Sequence, residues 1–189
     1  MSHAIYTTKG FIISSENRSE ADKTFFIFTE DFGFVRASAS GVRKIESKLR
    51  YSLQDFSFSQ FSLVIGKTGW RIVNAESIDS FNNVSRNKIK VSALRLLKKL
   101  CGEDEAHGDL FKDLMLAFNF IDTENIKEDE GVEALLVLKI LSHLGYWGNT
   151  NENNFVLSPF NQESIIEIKK KKKEIIKEVN QSLKATHLL

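Results

Sequence analysis

Over residues 3–78 the chain alternates short apolar runs with turn residues, and no 3.6-residue period is sustained. The runs at 4–14, 24–29, 34–40, 56–65 and 70–77 are rich in Phe, Ile, Val and Thr, the residue types that fit a pleated, half-buried surface. In the fourth run Phe56 and Phe58 share one face whereas Phe61, Leu63 and Ile65 share the other. The phase therefore flips at Ser59-Gln60, where a bulge or sharp bend is expected. Bends of this kind let a small sheet close, so five strands in about 75 residues predict a barrel. Gly66-Lys67-Thr68-Gly69 reads as the hairpin turn between the last two strands.

Past residue 83 the period changes. Ile89, Val91, Leu94, Leu97 and Leu100 recur at helical spacing, with Arg86, Lys88, Lys90, Arg95, Lys98 and Lys99 expected on the surface. A second helix is predicted over 110–121. A third, over 128–144, is apolar nearly all round, which marks it as the centre of a bundle. A last helix over 162–183 carries the run Lys169 to Lys173, which spans more than one turn, so one lysine must cross the apolar stripe and snorkel outward. The run otherwise reads as a solvated collar or a second phosphate or partner contact. The fold class is thus α+β: a five-stranded β-barrel domain over 1–80 and an all-α helical domain over 81–189.

Composition narrows the chemistry. The 189 residues are 42% hydrophobic and 27% charged, with a formal net charge of +1, so a polyanion would have to be met by a local patch. Such a patch exists in the connection after the third strand, where Arg36, Arg43, Lys44, Lys48 and Arg50 face the single anion Glu46. It serves either as a solvated loop or as an anion site. One cysteine, Cys101, supports neither an intramolecular disulfide nor a cysteine zinc cluster. His3, His107, His143 and His187 show no metal-ligand spacing. Gly66-Lys67-Thr68 resembles the end of a P-loop, but Phe61 stands where that loop needs glycine and a strand follows instead of a helix. No enzyme, cofactor or metal is expected. With no signal-type N-terminal run and no long apolar stretch, the expected location is cytoplasmic.

Several segments in order carry a family resemblance: Lys9-Gly-Phe-Ile-Ile-Ser14, Ser19-Glu-Ala-Asp-Lys23, Phe28-Thr-Glu-Asp-Phe-Gly-Phe34, Ala39-Ser-Gly-Val-Arg43, Ser47-Lys-Leu-Arg50, Leu53-Gln-Asp-Phe-Ser57 and the stretch to Leu144-Gly-Tyr146. The chain resembles the bacterial RecO family of recombination mediators. That resemblance implies an N-terminal oligonucleotide-binding (OB) fold before a helical domain. It further implies binding of single- and double-stranded DNA, annealing of complementary strands, and assistance to RecA loading. The implied partners are RecR and the acidic C-terminal tail of single-stranded DNA-binding protein, and no membrane. Many members carry a zinc-binding cysteine cluster after the Gly-Tyr, whereas 147–154 here contains no cysteine.

The expected DNA contacts are Arg36, Arg43, Lys44, Lys48, Arg50, Lys67 and Arg71 to phosphates, with Phe34, Phe58 and Trp70 as base-stacking candidates or core residues. Arg86, Lys88, Lys90, Arg95 and Lys99, or alternatively the Lys169 run, are candidates for the rim of an acidic-peptide site. Two other readings are an OB-fold RNA-binding module and a protein-interaction adaptor, with a nuclease third.

Overall fold

The computed structural model describes residues 4–81, 83–84, 87–102, 105–126, 129–147 and 155–185, with side chains in the last helix through 181. The chain divides into two compact units, residues 1–87 with 94–108 and residues 88–93 with 109–189.

In the first unit five strands, β1 (Ile5–Asn17), β2 (Lys23–Thr29), β3 (Gly33–Ala39), β4 (Ser57–Gly66) and β5 (Gly69–Ser80), close into a barrel of order β1-β2-β3-β5-β4. β1 is long enough to pair with both β2 and β4, and a register shift between Ile12 and Ser14 lets it bend around the corner. Closure is completed by a parallel contact of only two pairs, Ala37 with Trp70 and Ser38 with Arg71.

Strand alternation sorts side chains to the two sides of this wall. Phe25, Ile27, Val35, Phe61 and Leu63 point inward and are almost wholly buried. Each such aromatic or branched aliphatic side chain contributes about 1.5–3 kcal/mol of apolar transfer free energy. The expected phase flip in β4 coincides with a register shift against β5 between Phe58 and Ser59. After it Phe61 and Leu63 face the interior, whereas Phe58 stacks on Phe11 of the outer wall at 4.8 Å. Two members of the predicted pattern differ. Ile65 lies half exposed beside the hairpin turn, past the end of the core. Phe56 precedes β4 with φ 57, so it does not continue the face of Phe58.

Both mouths of the barrel are plugged. At the start of β3, Tyr6, Phe32 and Trp70 meet edge to face or tilted, with centroids 5.0–5.6 Å apart. At the end of β3 the plug is Val42, Leu49 and Leu53, all supplied by the connection to β4. That connection contains a short helix, α1 (Leu49–Ser52), which the sequence pattern did not predict. The β4–β5 turn is Lys67-Thr68 between the paired Gly66 and Gly69, and Gly69 takes the positive φ of 102° that the turn requires.

Helix α2 (Lys88–Leu100) contributes its first six residues to the second unit and the remainder to the first. The second unit adds α3 (Gly108–Thr123), α4 (Glu130–His143), a 3-10 turn at Phe155–Leu157 and α5 (Gln162–Ala185). As its pattern implies, α4 is buried along most of its length. Asp129 caps it, accepting hydrogen bonds from the backbone N–H of Gly131 at 2.9 Å and Val132 at 3.2 Å. Gly131 is required by close approach: a Cβ there would lie 2.9 Å from the Ile165 carbonyl oxygen of α5.

The lysine run is more than a collar. Lys169 pairs with Asp129 and Lys172 with Glu130, tying α5 to the first turn of α4. Lys172 stands in line with the buried Ile168 and Ile175 and carries its ammonium out to Glu130, while Lys171 Nζ lies 5.3 Å from the Phe155 ring centroid.

Candidate nucleic-acid interface

The candidate site grows out of the connection 40–56. Gly41 turns the chain with φ 68°, and its N–H donates to Asp22 Oδ1 at 2.8 Å. Arg43 donates from Nη1 to the Ser19 carbonyl at 2.6 Å and from its backbone N–H to the Ala21 carbonyl at 3.0 Å. These bonds fasten the basic connection to the β1–β2 turn, so its cations stand on an anchored loop.

Among the described residues of this unit, two clefts have cations in their lining. The first, of about 710 Å³, includes Lys23, Arg43, Arg50, Asp55 and Phe56 in its lining, with Val42 and Leu53 of the barrel plug also present. Three cations face one carboxylate there, a local excess of positive charge. The second, of about 440 Å³, is lined by Arg18, Thr24, Arg36, Ser38 and Trp70, with Thr68 and Gly69 of the hairpin. It lies along the seam where β3 and β5 meet through only two pairs.

The strand period explains why there are two. Lys23 is in phase with the inward residues Phe25 and Ile27, and because it begins β2 it emerges at the barrel mouth. Thr24, one residue on, points to the outer wall with its cross-strand partner Ser38. Adjacent residues of one strand thus feed a mouth cleft and a wall cleft. Lys23 further donates to Ser15 Oγ at 3.2 Å, which fixes its ammonium in the mouth.

The predicted cations are therefore divided. Arg43 and Arg50 line the mouth cleft and Arg36 the wall cleft. Lys44, Lys48, Lys67 and Arg71 are all exposed and line neither. Lys67 sits in the hairpin turn, and Arg71 is paired in register with Ser38.

Two of the aromatic candidates are corrected. Phe34 is 4% exposed and Phe58 6%, both packed among the outer-wall aromatics, so neither offers a ring face on which a base could stack. Trp70 is half-buried in the mouth plug and borders the wall cleft.

The helical cations also redistribute. Lys90 is corrected from the surface to the interior: it is 1% exposed, pairs with Asp122 and lies 5.5 Å from the Phe118 ring centroid. Arg95 is exposed and its guanidinium lies 5.3 Å from the ring centroid of Phe56, a lining residue of the mouth cleft. Its neighbour one turn on, Lys98, lies 4.3 Å from the Phe26 centroid. Lys88 and Lys99 are exposed. Arg86, and the 148–154 segment that follows the Gly-Tyr, fall outside the described residues.

Sequence reasoning missed Lys23, Arg18 and Phe56. The phase of β2 contained the signal for Lys23; Arg18 lies in a turn, and the position of Phe56 depends on a positive φ, neither of which has a period. Among the described residues no group of three His, Cys, Asp or Glu is placed to hold a metal ion. No described helix is long and apolar enough to cross a membrane.

A closed five-stranded barrel with this strand order is the OB fold. Comparison with known proteins is more specific. Residues 1–81 match the family described as recombination protein O N terminal. The chain is 30% identical over 147 residues to the DNA repair protein RecO of Clostridium novyi, covering 76% of this chain and 57% of that protein. It is 29% identical over 147 residues to the DNA repair protein RecO of Clostridium acetobutylicum, covering 76% and 59%, and 28% identical over 145 residues to that of Heliobacterium modesticaldum, covering 75% and 52%. The chain belongs to the RecO family, and it spans a little over half the length of these curated relatives.

Proposed function

We propose that this protein acts in DNA repair and homologous recombination by binding single- and double-stranded DNA on its barrel unit and annealing complementary strands. The observation that carries the proposal is the pair of cationic clefts on a RecO-type barrel, one at the mouth and one on the wall. Annealing needs two polyanions held near one another with their repulsion screened. Lys23, Arg43 and Arg50 attract one backbone, while Arg18 and Arg36 attract the other. Contacts to phosphates carry no sequence information, which suits strands of any sequence.

Neither step calls for ATP or a covalent intermediate. Within the same reading, the protein assists RecA loading together with RecR and engages the acidic tail of single-stranded DNA-binding protein. Lys88, which belongs to the helical unit, and Arg95 and Lys99, which belong to the barrel unit, are exposed and are separate candidates on α2 for the rim of a tail site, with the Lys169 run as the alternative. The tail's terminal apolar residue would need an adjoining apolar pocket.

The test is annealing of two labelled complementary oligonucleotides across a salt series, with single-strand binding measured in parallel for wild type, Arg50→Ala and Arg36→Ala. Annealing without ATP is expected, and each variant should reduce the steepness of log affinity against log salt by about 0.7 for the one phosphate it no longer neutralises. Absence of both binding and annealing at low salt would overturn the proposal. A strong preference for RNA oligonucleotides over DNA would redirect it to the 2′-hydroxyl as the recognised group.

A further inference from the structure

The same connection that carries the cations also carries two apolar side chains that folding leaves in water. Ile45 is 84% exposed and Tyr51 is 78% exposed, the highest values among the large hydrophobic residues described, with Leu157 next at 77%. A lone exposed leucine or isoleucine is ordinary in any protein. Here both residues stand on a stretch of seven positions from Ile45 to Tyr51, interleaved with Lys48 and Arg50 and preceded by Arg43 and Lys44.

Tyr51 is also the exception among the aromatics of this unit. Phe34 and Phe58 are packed away, and Tyr6, Phe32 and Trp70 are engaged with one another. The Tyr51 ring makes no aromatic or cation–π contact among the described residues. It is nevertheless held in place, because it belongs to α1, whose neighbours Leu49 and Leu53 are fixed in the barrel plug. Its helix neighbour Arg50 lines the mouth cleft. A ring on an ordered turn beside a phosphate-binding groove costs little conformational entropy to present to a ligand.

We infer that Tyr51, flanked by Ile45, is the base-stacking platform of the mouth cleft, receiving an unpaired base from a strand whose phosphates lie along Arg43, Arg50 and Lys23. This inference rests on the nucleic-acid reading above and adds to it the discrimination of single strands. In a duplex the base faces are already stacked on one another, whereas an unpaired base has a π-face available. Cations and exposed apolar groups together also suit an anionic lipid surface, but such surfaces are gripped by the continuous apolar face of a longer helix. The four-residue α1 with one ring and one isoleucine offers no such face. The local charge and the adjoining groove favour a linear polyanion.

The experiment compares a 15-nucleotide oligo(dT) with an abasic phosphodiester strand of the same length, each end-labelled, by fluorescence anisotropy at low salt. The proteins are the full chain as wild type, Tyr51→Ala, Tyr51→Phe and Ile45→Ser. Folding is checked by far-ultraviolet circular dichroism, which these surface substitutions should leave unchanged. Wild type should prefer the base-bearing strand by roughly fivefold to a hundredfold, the range that one stacked base supplies. Tyr51→Ala should lose that preference while its affinity for the abasic strand stays put. Tyr51→Phe should restore it, and Ile45→Ser should reduce it by less.

A Tyr51→Ala protein that keeps the wild-type preference overturns the stacking assignment and leaves the nucleic-acid reading standing. Wild-type protein that binds neither strand overturns both. Vesicles of phosphatidylglycerol and phosphatidylcholine provide the last arm. Binding to them that depends on Tyr51, with oligonucleotide binding unaffected, assigns the ring to a lipid surface and overturns the inference.

Discussion

Removing one carboxylate from the interior of the helical unit should do more damage than removing it together with its partner. Lys139 of α4 is buried, and its ammonium donates to both Asp113 oxygens at 3.3 Å and to the Val156 carbonyl at 2.7 Å. Asp113 is 19% exposed at its side chain and also meets His143 Nε2 at 2.8 Å. Asp113→Ala strands a buried ammonium with one carbonyl for company, at a cost of about 3–5 kcal/mol. Lys139→Met removes the charge and leaves the Val156 carbonyl without this donor, costing about 1–3 kcal/mol. In the double variant no ammonium remains to be stranded, so its cost should stay near about 1–3 kcal/mol, well short of the sum of the singles. The assay is urea unfolding of the full chain followed by the helical ellipticity at 222 nm. With a slope of about 2 kcal/mol per molar urea, Asp113→Ala should lower the midpoint by about 2 M. A loss below about 1 kcal/mol for Asp113→Ala, or a double variant equal to the sum of the singles, would refute the reasoning that the pair is coupled by burial.

Two further outcomes follow from titratable groups. Burial pushes the Asp129 carboxyl upward, but the Lys169 hydrogen bond and the N–H groups of Val132 and Gly131 outweigh it, so its value is lowered on folding. A lowered carboxyl contributes stability that is complete above its unfolded value of about 3.9 and is lost as pH falls through the folded value. Asp129→Ala should therefore cost about 1 kcal/mol near neutrality, and part of its gap to wild type should close in urea titrations below about pH 4. A gap unchanged at low pH would show that the charge adds nothing to the cap. The Cys101 thiol is pushed up to about 11, first by burial and then by Glu105, so its thiolate at mild alkaline pH is about a hundredfold scarcer than for a thiol at 9.0. Iodoacetamide should alkylate it correspondingly slowly in the native protein and rapidly in urea, and equal rates would contradict the raised value of this half-buried thiol.

The parts of this fold that obey a period were legible in the sequence. All five strands are present, with ends displaced by at most three residues from those predicted, and the phase flip in β4 located a real register shift. Lys90 shows how the same rule was misapplied: at helical spacing it stands in line with Leu94 and Leu97, so its position foretold burial even though its residue type suggested the surface. Phe34 and Phe58 failed as stacking candidates for a related reason. A strand pattern shows which residues share a face, but not which faces the rest of the chain covers. Tyr51 escaped notice because its exposure depends on α1, a helix of four residues too short to leave a periodic trace. The division of the cations between a mouth and a wall required the barrel's closure, a relation between residues as distant as Ala37 and Trp70.

The plug formed by Val42, Leu49 and Leu53 makes the basic connection a cassette. Both of its ends are rooted in the barrel interior, while Arg43 to Lys48 between them is solvent-facing except for the half-buried Ser47. Insertions, deletions or wholesale replacement between the two roots should therefore change reach and charge while Val42, Leu49 and Leu53 stay buried. A laboratory library confined to residues 43–48 would vary the charge of the candidate site on a constant scaffold.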